Sequence, residues 1–600
     1  MASVNSISSE KDNDEDRDIM HEDVIEDEEP EEPSSELDPA QKEDLEHHQR
    51  LDDFLAPLCL DEAVLYRLAR RFSSTYRHLA LTSDQQFLPT PVTQLPTGQE
   101  TGRYLAIDVG GSNLRVAFIE LLGEAVEESE SRPADASERS RDTIRKAQRQ
   151  RVKRTLERAW PIQEHLKMDK ADDLFAWIGD CIAEVVAESL TSDDTKKDIP
   201  AELDMGITFS FPIMQESLAE ATLMPMGKGF AITSNLNLRK ILLNGYEKHT
   251  RRPEDEDEPS SKRRKLFALP KLKIQAITND TVATLASLAY AVKSLPNSRV
   301  AMGIIVGTGC NATIPMKLNS LHESKAKNVN AMNADAVETI VNTEWTISGA
   351  APPLRELNVT TKWDVELDRA CARPGFQPFE YMTGGRYIGE LIRLILFDYL
   401  TEVAGLSKRI LPANLIQEYA LTTSYISDNV ARARSDSELA QKLNLTLPPP
   451  RAATGAGTRE QQAPSAASPG QSRDDRPLKE DSNGNTPENA ASPQSNGDAP
   501  TTPDNTALPT PSVSNSFHGH VVPVLQPAAD WQSGPEELVV AYTGGIIQHY
   551  PQFKEMCQQH IDRLIMRTGP QQGGKSVFLR EASDGGVIGA GVLAGMVVSK

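Results

Sequence analysis

Apolar residues recur at three- and four-residue intervals over residues 61–81, 171–190, 282–292, 387–400 and 553–567, the spacing that lays a continuous stripe along one side of a helix. In the second of these, Leu174, Ile178, Cys181, Ile182, Val185 and Val186 share one face, which predicts a helix packed on a core. Between such segments stand short apolar runs at 205–211, 273–277, 301–306, 538–542 and 577–579, read as buried strands with Gly and Asn at their ends. Strands and helices that alternate in this way predict an α/β architecture. In such folds chemistry is sought at strand ends.

Elsewhere the periodicity lapses. Residues 1–50 hold acidic runs such as Glu26-Asp-Glu-Glu-Pro-Glu-Glu32, which repel one another and predict a disordered tail. Residues 124–159 are charged and Arg-rich without a sustained apolar stripe, and read as an insert, parts of which can form a solvated helix. Residues 249–265 carry Arg251-Arg252, an acidic middle and Lys262-Arg-Arg-Lys265. That pattern resembles a two-part nuclear import signal, although short basic clusters arise easily and a solvated loop of mixed charge is the plainer reading. Residues 448–531, rich in Pro, Ser, Asn, Gly and Ala, cannot bury enough apolar surface to fold alone.

The 600 residues are 38% hydrophobic, enough for more than one core, so two lobes are expected. Asp plus Glu number 87 against 63 Lys plus Arg, a net charge of −24 that argues against direct nucleic-acid binding. Cys59, Cys181, Cys310, Cys371 and Cys557 are scattered and without metal-ligand spacing, as reduced thiols of an intracellular protein would be. Residues 1–20 lack the basic start and apolar centre of a signal peptide, and the apolar stretch 586–598 is short and glycine-rich. No membrane span is predicted.

The richest candidate chemistry lies in Tyr104-Leu-Ala-Ile-Asp-Val-Gly-Gly-Ser-Asn-Leu-Arg-Val116. Here Leu105, Ile107 and Val109 form a strand, Gly110 and Gly111 let the backbone approach an anion, Ser112 and Asn113 offer donors, and Asp108 suits a hydrated magnesium ion. An ordinary tight hairpin would use Gly-Gly and Ser-Asn as well. In Ile274-Gln-Ala-Ile-Thr-Asn-Asp-Thr281, Asp280 is placed either to accept a proton from a substrate hydroxyl or to cap a helix. Val306-Gly-Thr-Gly-Cys-Asn-Ala312 sets Thr308 among glycines, as a phosphate contact or a plain turn, with Asn311 facing a sugar in the first case. Glu344 in Asn342-Thr-Glu-Trp345 and Glu380 in Gln377-Pro-Phe-Glu380 are further carboxylates that surface roles would also explain. Gly569-Pro-Gln-Gln-Gly-Gly-Lys-Ser576 formally matches a nucleotide phosphate loop, but a helix precedes it and a strand follows, the reverse of what that loop needs.

Taken in order, these motifs resemble the hexokinase family. The resemblance rests on Leu95-Pro-Thr-Gly-Gln-Glu100, the glycine hairpin, Thr208-Phe-Ser-Phe-Pro212, Gly227-Lys-Gly-Phe230, Thr278-Asn-Asp-Thr281, Gly307-Thr-Gly-Cys-Asn311, Asn342-Thr-Glu-Trp345 and the stretch 375–390. It covers most of 58–445 outside the inserts, and more weakly 538–600. It implies a two-lobed, actin-like ATPase (ribonuclease H-like) fold with a sugar cleft between the lobes. The small lobe would span 51–248, the large lobe 266–447 and 532–600. It further implies hexose and magnesium-ATP as substrates and a cytoplasmic location. Ser210, Lys228, Asn279, Asp280, Asn311, Glu344 and Glu380 would surround glucose or a related hexose. Asp280 would be the base, Lys228 and Arg115 would support the transferring phosphoryl group, and Asp108 would hold magnesium through water. Gly110, Gly111, Ser112, Asn113, Thr308 and Gly544 would lie against the nucleotide.

Several positions depart from the family pattern. Gly227 stands where a hydroxyl is usual, Thr543-Gly-Gly545 lacks a carboxylate, and Asp584-Gly-Gly-Val587 replaces a hydroxyl with Gly586. A helix lining the adenosine pocket is not found where 448–531 lies. The resemblance therefore implies either a hexose 6-phosphotransferase with a weakened adenosine site or a catalytically inactive regulator. The latter resembles the hexokinase-like regulators of filamentous fungi, associated with carbon starvation and protease control, and would engage protein partners through its disordered segments.

Overall fold

The computed structural model describes residues 39–123, 151–168, 170–192, 200–224, 230, 232, 235–250, 268–292, 298–448, 537–567 and 576–599. The strands are β1 (Leu88–Pro89), β2 (Thr101–Val109), β3 (Asn113–Leu122), β4 (Val152–Pro161), β5 (Glu202–Phe209), β6 (Ile213–Ser217), β7 (Glu220–Leu223), β8 (Leu236–Asn237), β9 (Lys271–Thr278), β10 (Ser298–Val306), β11 (Cys310–Lys317), β12 (Glu338–Asn342), β13 (Glu537–Thr543) and β14 (Ser576–Glu581). The helices that matter below are α1 (Pro39–Leu55), α2 (Glu62–Thr82), α3 (Ala171–Ser192), α4 (Leu238–Glu247), α5 (Asp280–Val292), α6 (Lys362–Ala370), α7 (Pro378–Thr383), α8 (Gly385–Asp398), α9 (Phe553–Arg567) and α10 (Gly585–Val598).

Two sheets repeat one topology. In the first, ordered β4-β3-β2-β5-β9, an antiparallel meander β2-β3-β4 is extended by β5 and β9 running parallel to β2. In the second, ordered β1-β12-β11-β10-β13-β14, the meander β10-β11-β12 is extended by parallel β13 and β14, with β1 on the outer edge. The shared pattern makes two lobes, as the α/β reading and the resemblance imply. The stripe on α3 is buried at each of its six positions, against the first sheet and α4. Helices α5 and α10 share a core with residues of both sheets. Because α10 is apolar on every side, it can only be a fully enclosed helix. Its residues from Gly585 to Gly595 are all buried, and among the described residues no helix is long and apolar enough to cross a membrane.

Tertiary pairing corrects three expectations. Residues 124–159 are not wholly an insert, because Val152–Pro161 form β4 along β3. Only Val152, Leu156 and Trp160 of its side chains are partly covered, the others facing solvent, which is why an edge strand carries charge instead of an apolar stripe. The acidic tail ends sooner than residue 50, since α1 begins at Pro39 and its Phe54 packs on Trp363 and Tyr399 at ring separations of 5.2 and 5.4 Å. Residues 51 to about 92 join the second lobe rather than the first: β1 pairs with β12, and Phe72, Leu79 and Phe87 share a core with Leu318 and Val341. The basic clusters at 251–252 and 262–265, and most of the segment 448–531, lie outside the described residues. The Gly569–Ser576 turn is likewise undescribed up to residue 575, between helix α9 and strand β14.

Candidate functional site

Parallel register sets the site. Asp108 of β2 pairs with Thr208 of β5, and Thr208 pairs with Thr278 of β9, so the three strands end in one row. Just beyond that row come Gly110, Ser210 and Asn279-Asp280. In the facing sheet β10 ends opposite the start of β11, at Val306 and Cys310, and Thr543 of β13 pairs with Ile305. The two rows of strand ends look at each other across a cleft.

One end of the cleft is a narrow cavity of about 30 Å3 lined by Ser210, Asn279, Asp280, Asn311, Glu344 and Glu380, closed by Phe211, Pro212 and Phe376. Its carboxylates are held, not loose. Glu380 Oε2 accepts from the Cys310 amide at 3.0 Å. Glu344 Oε1 accepts from Asn311 Nδ2 at 3.0 Å and from Asn342 Nδ2 at 2.8 Å, while Asn311 also donates to Asn342 Oδ1 at 2.9 Å. Glu344 sits at φ 45°, in the left-handed region, a conformation that surrounding structure must impose. Asn279 Oδ1 accepts from both the amide and the hydroxyl of Thr281, which leaves the amide Nδ2 donor for the cavity. Asp280 begins α5, and its Oδ1 accepts from the Thr281 amide at 2.9 Å.

The other end is a larger cavity of about 840 Å3 lined by Asp108, Gly110, Gly111, Ser112, Asn113, Arg115, Thr308 and Gly544 together with Ser210 and Asp280. Ser112 Oγ and Thr308 Oγ1 stand 3.3 Å apart, a hydrogen bond that joins the hairpin of one lobe to the glycine turn of the other. Gly544, at φ 121°, packs where a Cβ would come within 2.4 Å of the Val306 carbonyl, so glycine is required there. Every site residue expected from sequence therefore lines one cavity or the other except Lys228, which lies outside the described residues with Gly227.

Sequence reasoning missed Arg154, Asn342, Gln548 and Glu581. Arg154 lines the larger cavity, and its Nη1 donates to Asp584 Oδ2 at 2.6 Å, while Arg115 Nη1 donates to Asp584 Oδ1 at 3.3 Å. Nothing local marked Arg154, because only the pairing of β4 with β3 aims it at a residue 430 positions away. Asn342 had a signal, since it stands in the same motif as Glu344. Arg115 was expected to face a phosphoryl group; here its guanidinium is shared with Asp584, itself at φ 51°.

Residues 50–290 match a family model described as hexokinase, and residues 301–454 and 521–596 match a second model with the same description. The chain belongs to the hexokinase family. It is 32% identical to the hexokinase of Schistosoma mansoni over 349 residues, covering 58% of this chain and 62% of that protein. It is 30% identical to hexokinase-2 of Schizosaccharomyces pombe over 343 residues, covering 56% and 62% respectively. The match thus spans a little over three fifths of these relatives' own length. The solved structure of the Schistosoma mansoni hexokinase complexed with glucose shares the fold, with a TM-score of 0.59 at 22% identity over 92% of this chain and 99% of that one.

Within this hexokinase-family fold the departures take on geometry. An ideal Cβ at Gly586 would lie 2.5 Å from the Asp108 carboxylate, so the missing side chain lets that carboxylate seat against the first turn of α10. The family-model match breaks between residues 454 and 521, within the low-complexity segment, and the expected place of the adenosine helix falls outside the described residues.

Proposed function

We propose that this protein transfers the γ-phosphoryl group of magnesium-ATP to the 6-hydroxyl of a hexose, glucose foremost. The observation that carries this reading is that Asp280 and Ser210 line both cavities, so a carboxylate stands where a sugar hydroxyl and a phosphate would meet. Ser210, Asn279, Asn311, Glu344 and Glu380 would pair the remaining hydroxyls, and a sugar lacking one would leave a buried group unpaired. Asp280 takes the hydroxyl proton as the sugar oxygen attacks phosphorus, and the bond from phosphorus to the bridging oxygen breaks to release ADP. Arg115, with Lys228, would offset charge on the transferring group. Gly110, Gly111, Ser112, Asn113, Thr308 and Gly544 would hold the phosphates. Lobe closure would exclude water, which otherwise competes with the sugar hydroxyl.

Among the described residues no group of three His, Cys, Asp or Glu could hold a metal. One carboxylate at the strand end, Asp108, fits a magnesium ion that keeps its waters and arrives with the nucleotide. When bound, such an ion supplies charge neutralisation on the phosphate oxygens. The reaction is assigned to the cytoplasm.

A second reading, a glucose-responsive regulator without efficient turnover, draws support from the engagement of Arg115 by Asp584 and from the packing of Asp108 on Gly586. A coupled assay of hexose 6-phosphate formation, run beside Asp280→Ala and beside glucose calorimetry, separates the two. Turnover that Asp280→Ala abolishes supports the kinase. Glucose binding without turnover overturns it in favour of the regulator.

A further inference from the structure

One residue along from each of two sugar-side carboxylates lies a second kind of surface. Phe379 precedes Glu380 and Trp345 follows Glu344. With Phe72 and Tyr76 of α2 and Phe87 before β1 they wall a cavity of about 650 Å3. The rings form a continuous set, with centroids 5.0 Å apart for Phe72 and Phe379, 5.3 Å for Phe72 and Tyr76, 5.6 Å for Tyr76 and Phe87, and 6.2 Å for Trp345 and Phe379. The space opens to the surface, and sites for small organic ligands run from about 300 to 1,000 Å3. A space of this size walled by aromatic rings suits a flat apolar molecule.

Charge narrows the class. Among the described residues Arg77 and Lys317 line the cavity and no carboxylate does. Arg77 is exposed and has no ion-pair partner among the described residues. Trp345 Nε1, in the wall, is a buried donor without a hydrogen-bond partner among those residues. A guanidinium beside aromatic faces favours an anion whose apolar part lies on the rings.

The wall is also fastened to the sugar-side cavity. Gln86 Nε2 donates to the Glu344 carbonyl at 2.9 Å, and the Phe87 amide donates to the Thr343 carbonyl at 3.0 Å. Phe87, at φ 54°, and Glu344, at φ 45°, are both in the left-handed region, so the junction has little freedom to shift on one side alone. We propose that this cavity binds a flat apolar anion, an aromatic carboxylate or sulfonate, and that its occupancy changes hexose affinity next door. The coupling rests on the sugar reading above; the binding site does not.

The test titrates the full chain with 8-anilinonaphthalene-1-sulfonate and with N-phenyl-1-naphthylamine, which has the same rings without the charge, following fluorescence. Expected are one saturable sulfonate site and loss of about tenfold or more in affinity in Ser73→Trp, which fills the mouth from α2. Arg77→Gln should weaken the sulfonate by about threefold or more and leave the neutral probe unchanged. Unaltered sulfonate binding in both Ser73→Trp and Ala69→Trp would overturn the site, and equal weakening of both probes by Arg77→Gln would overturn the assignment to an anion. Saturating glucose should shift the sulfonate affinity, as reciprocity demands. Glucose that binds by calorimetry without that shift overturns the coupling, whereas absence of glucose binding overturns the sugar reading and the coupling with it.

Discussion

Removing one arginine from the second lobe should cost more stability than removing the whole ion pair to which it belongs. Arg393 and Glu390 lie three residues apart on α8 with side chains only 6% and 4% exposed. The guanidinium donates to Glu390 from Nε at 2.8 Å and from Nη2 at 2.6 Å, and Nη1 donates to the Leu415 carbonyl at 2.6 Å. Glu390 Oε2 also accepts from the Tyr419 amide at 2.6 Å. In Arg393→Met the carboxylate keeps that amide and loses two charged donors while still out of water. Breaking a buried pair in this way costs about 3–5 kcal/mol. In the double variant Glu390→Leu/Arg393→Met no charge is stranded; the Leu415 carbonyl loses its partner in both variants, and what the double loses besides is only the partner of the Tyr419 amide, about 1–3 kcal/mol. Guanidinium denaturation of both variants gives the comparison, and amide exchange at Tyr419 reports whether the loss is local, since Tyr419 lines a cavity next to Thr308. A single variant that loses less than about 1 kcal/mol, or no more than the double, would refute the argument that the stranded charge dominates.

Asn342 lies outside the sugar-side cavity but holds Glu344 and Asn311, so Asn342→Ala should weaken glucose by roughly 5- to 30-fold in calorimetry and, because Asn342 is itself buried, cost about 1–3 kcal/mol of stability. Gly206→Ala should destabilise by at least about 2 kcal/mol, because its Cβ would fall 1.9 Å from the Ala590 carbonyl where β5 meets α10; an unchanged melting temperature would contradict that close approach. Lys325 is buried beneath the carbonyls of Ala80 and Gln86, and loss of hydration lowers its pKa from 10.5 to about 8. Below pH 8 the folded protein bears the cost of the charged form. From pH 8 to 10.5 the unfolded chain alone stays protonated, so stability relative to Lys325→Met should rise with pH by on the order of 3 kcal/mol. Asp584→Asn, by loosening Arg115 and Arg154, should tighten ATP binding about two- to fivefold in calorimetry, a small effect because both arginines are 40% exposed; weaker binding would show that Asp584 helps to hold the nucleotide.

Local sequence determines a feature when the feature is itself local. The stripe on α3, the boundaries of α9 and the strand ends at Asp108 and Asn279 were legible because burial of one face imposes a period, and because Gly, Asn and Asp at the end of an apolar run already describe a turn. The glycine hairpin and the motifs holding Asp280, Glu344 and Glu380 were legible for the same reason, with family resemblance supplying roles that periodicity cannot. Tertiary structure alone decided the rest. A charged edge strand such as β4 carries no apolar stripe to read, so its existence depended on pairing with β3. The apolar stretch 586–598 looked the same whatever enclosed it, and only the meeting of two sheets made it a core helix. The place of Asp280 in both cavities, the hold of Asp584 on two arginines, and the ring of aromatics beside Glu344 all join residues far apart in the chain. Such contacts are set by sheet register and helix packing, which sum many small burial terms over the whole molecule, and no short window of sequence contains them.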